Sequence, residues 1–131
     1  MDLKNTVAIV SGGSNGIGKQ IAQQLVEAGS KVYITGRNKE RLELAANAIG
    51  AIAVHSDSSE QHDVDTLFEQ VISENGRLDI LINNAGFGAG WAELGEISMD
   101  DMVRVYQTNV FGATMMGQAA AIIFKKQKSG N

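Results

Sequence analysis

The segment Ser11-Gly12-Gly13-Ser14-Asn15-Gly16-Ile17-Gly18 joins an apolar run to a helical stretch. A diphosphate needs backbone N–H groups close to its oxygens. A helix N-terminus supplies them, and side chains in the turn would block the approach. Gly12-x-x-x-Gly16-x-Gly18 suits that chemistry and points to the phosphate-binding turn of a dinucleotide site. The spacing is not literally G-x-G-x-x-G, so the inference rests on the strand before it and the helix after it. A glycine-rich β–α turn without a ligand is the plain alternative.

The residue after the second strand discriminates between dinucleotides. An Asp or Glu there would hydrogen-bond the ribose 2′-hydroxyl of NAD. Here the chain reads Gly36-Arg37-Asn38, with Arg37 placed 19 residues beyond Gly18. A guanidinium pairs with a 2′-phosphate, so the expected preference is NADP(H) over NAD(H). The competing reading of Arg37 is a surface arginine at a helix start. Asn15 adds no second positive charge to the loop.

The elements that would carry these residues follow from periodicity. Thr6–Val10 is a near-continuous apolar run of strand length, as expected for a strand covered on both faces. Ile17, Ile21 and Leu25 recur every four residues, so a helix follows the loop, ended by Gly29. Residues 31–35 form a second strand. Asn38 caps a helix carrying Leu42, Ala45 and Ile49, closed by Gly50. Residues 51–55 form a third strand. Ser58-x-x-Gln61 resembles a capping box before a helix with Val64, Leu67, Phe68, Val71 and Ile72 on one stripe, stopped at Asn75-Gly76. Residues 78–82 form a fourth strand. Ser98-x-x-Asp101 starts a last long helix reaching roughly Lys126, with boundaries good to about two to four residues.

The alternation βαβαβαβα implies right-handed crossovers and a parallel sheet. The expected fold is α/β, one doubly wound domain over residues 1–131 with strand order 3-2-1-4. Ligands bind beyond the carboxyl ends of the strands flanking the point where that order reverses. The glycine loop follows strand 1 and Asn83-Asn84-Ala85-Gly86 follows strand 4, so both fall there.

Composition narrows the alternatives. The net charge of −4 argues against a nucleic-acid partner, which would need a basic face. Lys125, Lys126 and Lys128 read as a solvated helix end that complements the helix dipole. With no cysteine, disulfides and thiolate metal sites are excluded. His55 and His62 lack a third ligand, so no metal site is expected, and two surface or half-buried histidines are the plainer reading. The N-terminus has no basic n-region and apolar h-region, and no stretch reaches the length of a membrane span. A cytoplasmic location is the default expectation.

With these motifs in order, the chain resembles the short-chain dehydrogenase/reductase family over its whole length. The carriers are Ser11-Gly12-x-x-x-Gly16-Ile17-Gly18, Asp57 after strand 3, Asn83-Asn84-Ala85-Gly86 after strand 4, and Asn109 in the last helix. The family usually has Thr where Ser11 stands. The resemblance implies a Rossmann-like fold and hydride transfer between NADP(H) and a small alcohol or ketone. It implies that Gly12, Ser14, Asn15 and Ile17 line the pyrophosphate and ribose, with Gly16 and Gly18 completing the loop, and that Asp57 bonds the adenine. Asn84, Ala85 and Gly86 would line the cofactor ribose. Asn109 would hold a water in the family's Asn-Ser-Tyr-Lys proton relay. Without the family pattern Asp57 reads as an exposed acid, Asn84-Ala85-Gly86 as a tight turn, and Asn109 as a solvent-facing helix residue.

The family's general acid/base is a Tyr-x-x-x-Lys pair, the lysine lowering the tyrosine pKa. The only tyrosines here are Tyr33 and Tyr106, followed four residues later by Arg37 and Val110. Tyr33 sits in strand 2, where packing is its expected role. Residues 128–131 resemble the family's lead-in to strand 5. The resemblance thus spans about half a family domain. The expectation is a truncated member, with strand 4 an exposed edge, the last helix short of packing partners, cofactor binding weakened and turnover negligible. The alternative is a non-catalytic dinucleotide-binding remnant or truncated gene product. Family members often oligomerise through the last helix, so an oligomer is doubtful here. Phe87-Gly88-Ala89-Gly90-Trp91 is a candidate substrate contact, the plainer alternative being a mobile loop with Trp91 packed on the surface.

Overall fold

The computed structural model describes residues 2–88, 90 and 93–131. Trp91 and Ala89, part of the candidate substrate segment, lie outside the described residues. Four strands, β1 (Val7–Val10), β2 (Lys31–Gly36), β3 (Ile52–His55) and β4 (Ile80–Ile82), form one parallel sheet in the order β3-β2-β1-β4. This is the doubly wound order expected from the alternation of elements. Helices α1 (Gly16–Glu27), α2 (Lys39–Ile49) and α3 (Gln61–Asn75) make the crossovers.

The pleat of β1 divides the core. Val7 and Ile9 face Tyr33, Val64, Leu67, Val71, Leu78 and Met116 on one side of the sheet. Ala8 and Val10 face Ala22, Val32, Ile34, Leu42 and Ala46 on the other. All four β1 residues are buried, which is why the strand reads as a continuous apolar run rather than an alternating one. Each buried Val or Ile contributes about 1.5–3 kcal/mol. α2 is capped as expected, Asn38 Oδ1 accepting from Arg41 N at 2.8 Å, and closes on Gly50 in the left-handed region.

Three local expectations change. The buried stripe of α1 is Gly18, Ala22 and Leu25, while Ile17 turns outward and is 75% exposed. Ser58 does not cap α3. The helix begins after Glu60, and Asp63 instead reaches back, its Oδ2 accepting from Asp57 N at 2.9 Å. The last helix is not uniform. α4 (Met99–Tyr106), capped by Ser98, and α5 (Ala113–Gln127) are joined by a π-helical segment, Gln107–Gly112. A short 3₁₀ turn, Leu94–Glu96, precedes α4.

β4 is not a wholly open edge. Asn131 N donates to Asp79 O at 2.8 Å and Leu81 N donates to Asn131 O at 2.9 Å, so the last residue pairs along its outer side. The last helix is thinly covered. α4 buries no residue and α5 buries only Met116 and Ala120, while Val103, Tyr106, Phe111 and Ile122 are exposed. Among the described residues no helix is long and apolar enough to cross a membrane, and no cluster of three or more His, Asp or Glu side chains could hold a metal ion.

Candidate functional site

The loops after β1 and β4 are locked together behind the glycine turn. Ser11 Oγ accepts from Asn84 N and Ala85 N, both at 3.0 Å, and donates to Ile82 O at 3.3 Å. The Ser11 hydroxyl therefore bridges the two loops. Asn84 Nδ2 donates to Ser11 O at 3.0 Å and Gly12 O at 3.1 Å. That close approach explains two glycines. A Cβ on Gly18 would overlap Asn84 Nδ2 and the Gly12 carbonyl oxygen, and one on Gly12 would lie 2.9 Å from Ala85 Cα. Gly12 also has φ +67°, in the region that side chains disfavour.

The neighbouring asparagine points the other way, as alternation at a strand end requires. Asn83 Nδ2 donates to Ala113 O at 2.8 Å, tying the same loop to the start of α5. Asn109, on the π segment, completes the tie. Its Nδ2 donates to Phe87 O at 2.8 Å, and its Oδ1 accepts from Phe87 N at 3.0 Å. Both polar atoms of the Asn109 side chain are thus engaged by one backbone residue. Gly112 lets the π segment approach the turn after β3, since a Cβ there would lie 2.8 Å from Ser58 O. Gln107 Nε2 donates to Ser59 O at 3.1 Å from the same side.

These braces frame a cleft of about 450 Å³ beyond the carboxyl ends of the strands. Gly12, Ser14 and Asn15 line it from the glycine loop, Gly36, Arg37, Asn38 and Arg41 from the end of β2 and start of α2, Ser56, Asp57 and Ser58 from the turn after β3, and Gly86, Phe87 and Thr108 from the far wall. Asp57 is held by its own turn, Oδ1 accepting from Ser59 N at 2.9 Å and Ser59 Oγ at 2.7 Å. Arg37 spans the cleft, its guanidinium carbon 5.5 Å from the Phe87 ring centroid. The carbonyl of Arg37 is held by His55 Nε2 at 2.8 Å.

The N-terminus of α1 opens beside this cleft. Its first residue follows Asn15, whose side chain makes no capping bond. The first N–H groups of a helix lack intrahelical acceptors, so this end is suited to an anion.

Of the residues singled out from sequence, Gly12, Ser14, Asn15, Arg37, Asp57 and Gly86 come together on the cleft lining. Gly16, Ile17 and Gly18 lie at the helix start beside it, and Asn84, Ala85 and Asn109 stand behind it as braces. Arg41, Ser56, Ser58 and Thr108 line the cleft but were missed.

Residues 6–131 match the family described as short chain dehydrogenase. The chain is 39% identical over 134 residues to dehydrogenase/reductase SDR family member 1 of Mus musculus, covering 87% of this chain and 43% of that protein. A 3-ketoacyl-(acyl-carrier-protein) reductase from Brucella melitensis, solved in complex with NADH, superimposes with a TM-score of 0.91 at 34% identity, covering 95% of this chain and 52% of that one. NAD⁺-bound xylitol dehydrogenase superimposes with a TM-score of 0.92 at 28% identity, covering 99% and 52% respectively. The chain spans about half the length of the relatives it matches.

Proposed function

We propose a function from one premise: the chain belongs to the short-chain dehydrogenase family. These residues form the half of an oxidoreductase that binds a nicotinamide dinucleotide, and the dinucleotide is NADP(H) in preference to NAD(H). The observation that carries the preference is Arg37 on the cleft lining, at the end of β2 where an acid would select NAD. The uncapped start of α1 and the side-chain-free Gly12 fit a pyrophosphate, and Asp57 fits the adenine edge. Gly16, Ile17 and Gly18 form the helix start that would face the phosphates, and Asn84, Ala85 and Gly86 would back the ribose. When bound, the nicotinamide supplies or accepts a hydride.

For the whole protein this reading gives hydride exchange with a small alcohol or carbonyl compound, a cytoplasmic location and no nucleic-acid partner. For these 131 residues it gives binding without turnover, because neither tyrosine is followed by Lys at the fourth position. Asn109 acts here as a positioning residue for the loop after β4, and any water-relay part belongs to the whole protein.

Titration of the 131-residue chain with NADPH and NADH, followed by nicotinamide fluorescence, tests the preference. Tighter NADPH binding is expected, and tighter NADH binding refutes it. Detectable NADPH-dependent carbonyl reduction by the same purified chain would refute the binding-only reading.

A further inference from the structure

We propose that Asn15-Gly16 is a site of spontaneous deamidation, and that the carboxylate formed there weakens dinucleotide binding as the protein ages. The loss of binding rests on the cofactor reading above, whereas the modification itself does not.

The chain has two Asn-Gly pairs, Asn15-Gly16 and Asn75-Gly76. Glycine after asparagine leaves the backbone nitrogen unshielded by a side chain. At the first pair the Gly16 nitrogen, its proton taken by hydroxide, attacks Asn15 Cγ. An N–C bond forms, the Cγ–Nδ2 bond breaks, and Nδ2 leaves as ammonia with a proton from water. Water then opens the five-membered imide at either carbonyl, giving aspartate or its β-linked isomer. Water and hydroxide are the only co-reactants, and nothing is oxidised or reduced.

The fold separates the two pairs. Space does not distinguish them, since a Cβ on Gly16 or on Gly76 would meet nothing within 4 Å. Hydrogen bonding does. Asn75 Nδ2 donates to Tyr33 Oη at 2.8 Å and to Val71 O at 2.7 Å, and Asn75 Oδ1 accepts from Lys31 Nζ at 2.7 Å. The Gly76 N–H, the nucleophile's source there, donates to Ile72 O at 2.7 Å. Ring closure at Asn75 must undo this set. Asn15 is exposed and its side chain makes no capping bond. Gly16 is the first residue of α1, so its N–H has no acceptor within the helix. Turning the Asn15 carbonyl loosens one bond, from Lys19 N to Asn15 O at 3.1 Å.

The product alters the cleft more than the fold. Asn15 lines the cleft beside Gly12 and Ser14. An aspartate at position 15 is a favoured residue at a helix start, and its charge suits the positive end of α1. It therefore occupies the field that a pyrophosphate would use, and two like charges meet at one helix end. The β-linked isomer adds a methylene to the loop backbone and displaces Gly16 from its place beside the cleft.

The test ages the full 131-residue chain at mildly alkaline pH and maps both Asn-Gly peptides by mass spectrometry, in buffer and in urea. Asn15 is expected to convert in buffer while Asn75 stays intact, and both convert at similar rates in urea. Equal rates in buffer, or an Asn15 that converts only in urea, refute the modification. Asn15→Asp is then compared with the fresh chain for NADPH and NADH, with circular dichroism to check the fold. A carboxylate at the helix end is expected to weaken both dinucleotides by roughly fivefold to tenfold. Saturating NADPH is expected to slow conversion at Asn15. A folded Asn15→Asp chain that binds as tightly as the fresh one refutes the loss of binding. If the fresh chain binds neither dinucleotide, the cofactor reading and the loss of binding fail, and the mass readout still decides the modification.

Discussion

The contact between Gly18 and Asn84 can be tested by a double-mutant cycle. Asn84→Ala removes two hydrogen bonds, from Nδ2 to Ser11 O and Gly12 O. At about 0.5–1.5 kcal/mol each, the loss is about 1–3 kcal/mol. Gly18→Ala would ordinarily gain up to about 1 kcal/mol inside a helix. Here the added methyl overlaps Asn84 Nδ2 and Gly12 O, and overpacking of that kind costs about 1–3 kcal/mol. Gly18→Ala should therefore destabilise. In the Asn84→Ala background half of the collision is gone, but the Gly12 carbonyl remains. The penalty should shrink by about 1 kcal/mol without vanishing, a coupling typical of residues in direct contact. Urea unfolding of the four proteins, followed by circular dichroism at constant m-value, reads each step. A stabilising Gly18→Ala, or the same cost in both backgrounds, refutes the reasoning.

Two further outcomes follow from the braces and from the buried tyrosine. Asn109→Leu removes both bonds to the Phe87 backbone, so amide exchange at Phe87 should accelerate while β1 amides stay protected; unchanged protection at Phe87 would show that the loop stands without its clamp. Tyr33 donates its hydroxyl to Glu74 Oε2 at 2.5 Å, and this bond, then that from Gln70 and the charge of Lys31, holds the Glu74 carboxyl below the ordinary glutamate range. A depressed carboxyl stabilises the fold above its unfolded pKa and loses that contribution as pH falls through the folded value. Tyr33→Phe should move the Glu74 titration, read by carbon-detected NMR, upward toward the ordinary range and reduce the acid sensitivity of unfolding; an unmoved titration would assign the depression to Gln70 and Lys31.

Much of this was legible in the chain because two-sided burial leaves an unmistakable mark. Val7–Val10 reads as a strand covered on both faces, and its alternation with three helical stretches points to a doubly wound parallel sheet of the order found. The glycine loop was legible for the same reason, since Gly12 and Gly18 stand where a side chain has no room. What escaped was decided by contacts between distant segments. Ile17 fits the four-residue stripe of α1, yet it faces outward because the loop delivers the helix with Gly18 inward against Asn84. Ser58 has the spacing of a cap, but Asp63 binds the Asp57 amide first and the helix begins later. Arg41 looks like any charged residue on an exposed helix until the ends of β2 and β3 are brought beside it. The π segment has no local signature at all. It forms where Gln107 and Gly112 meet Ser58 and Ser59 across the fold.

That segment also sets the phase of the whole last helix. A turn closed by i→i+5 bonds carries one residue more than an α-turn, so α4 and α5 are offset by about 100°, the angular step of one residue. With that offset, Asn109 faces the Phe87 backbone while Met116 and Ala120 face the core. Substitutions along the segment change single contacts. Losing one residue between Gln107 and Gly112 would restore a regular helix and rotate one half against the other, so that the clamp and the core face could no longer be satisfied at once. The extra residue works as a phase key: the chain length between these two faces is as much a part of the site as any side chain in it.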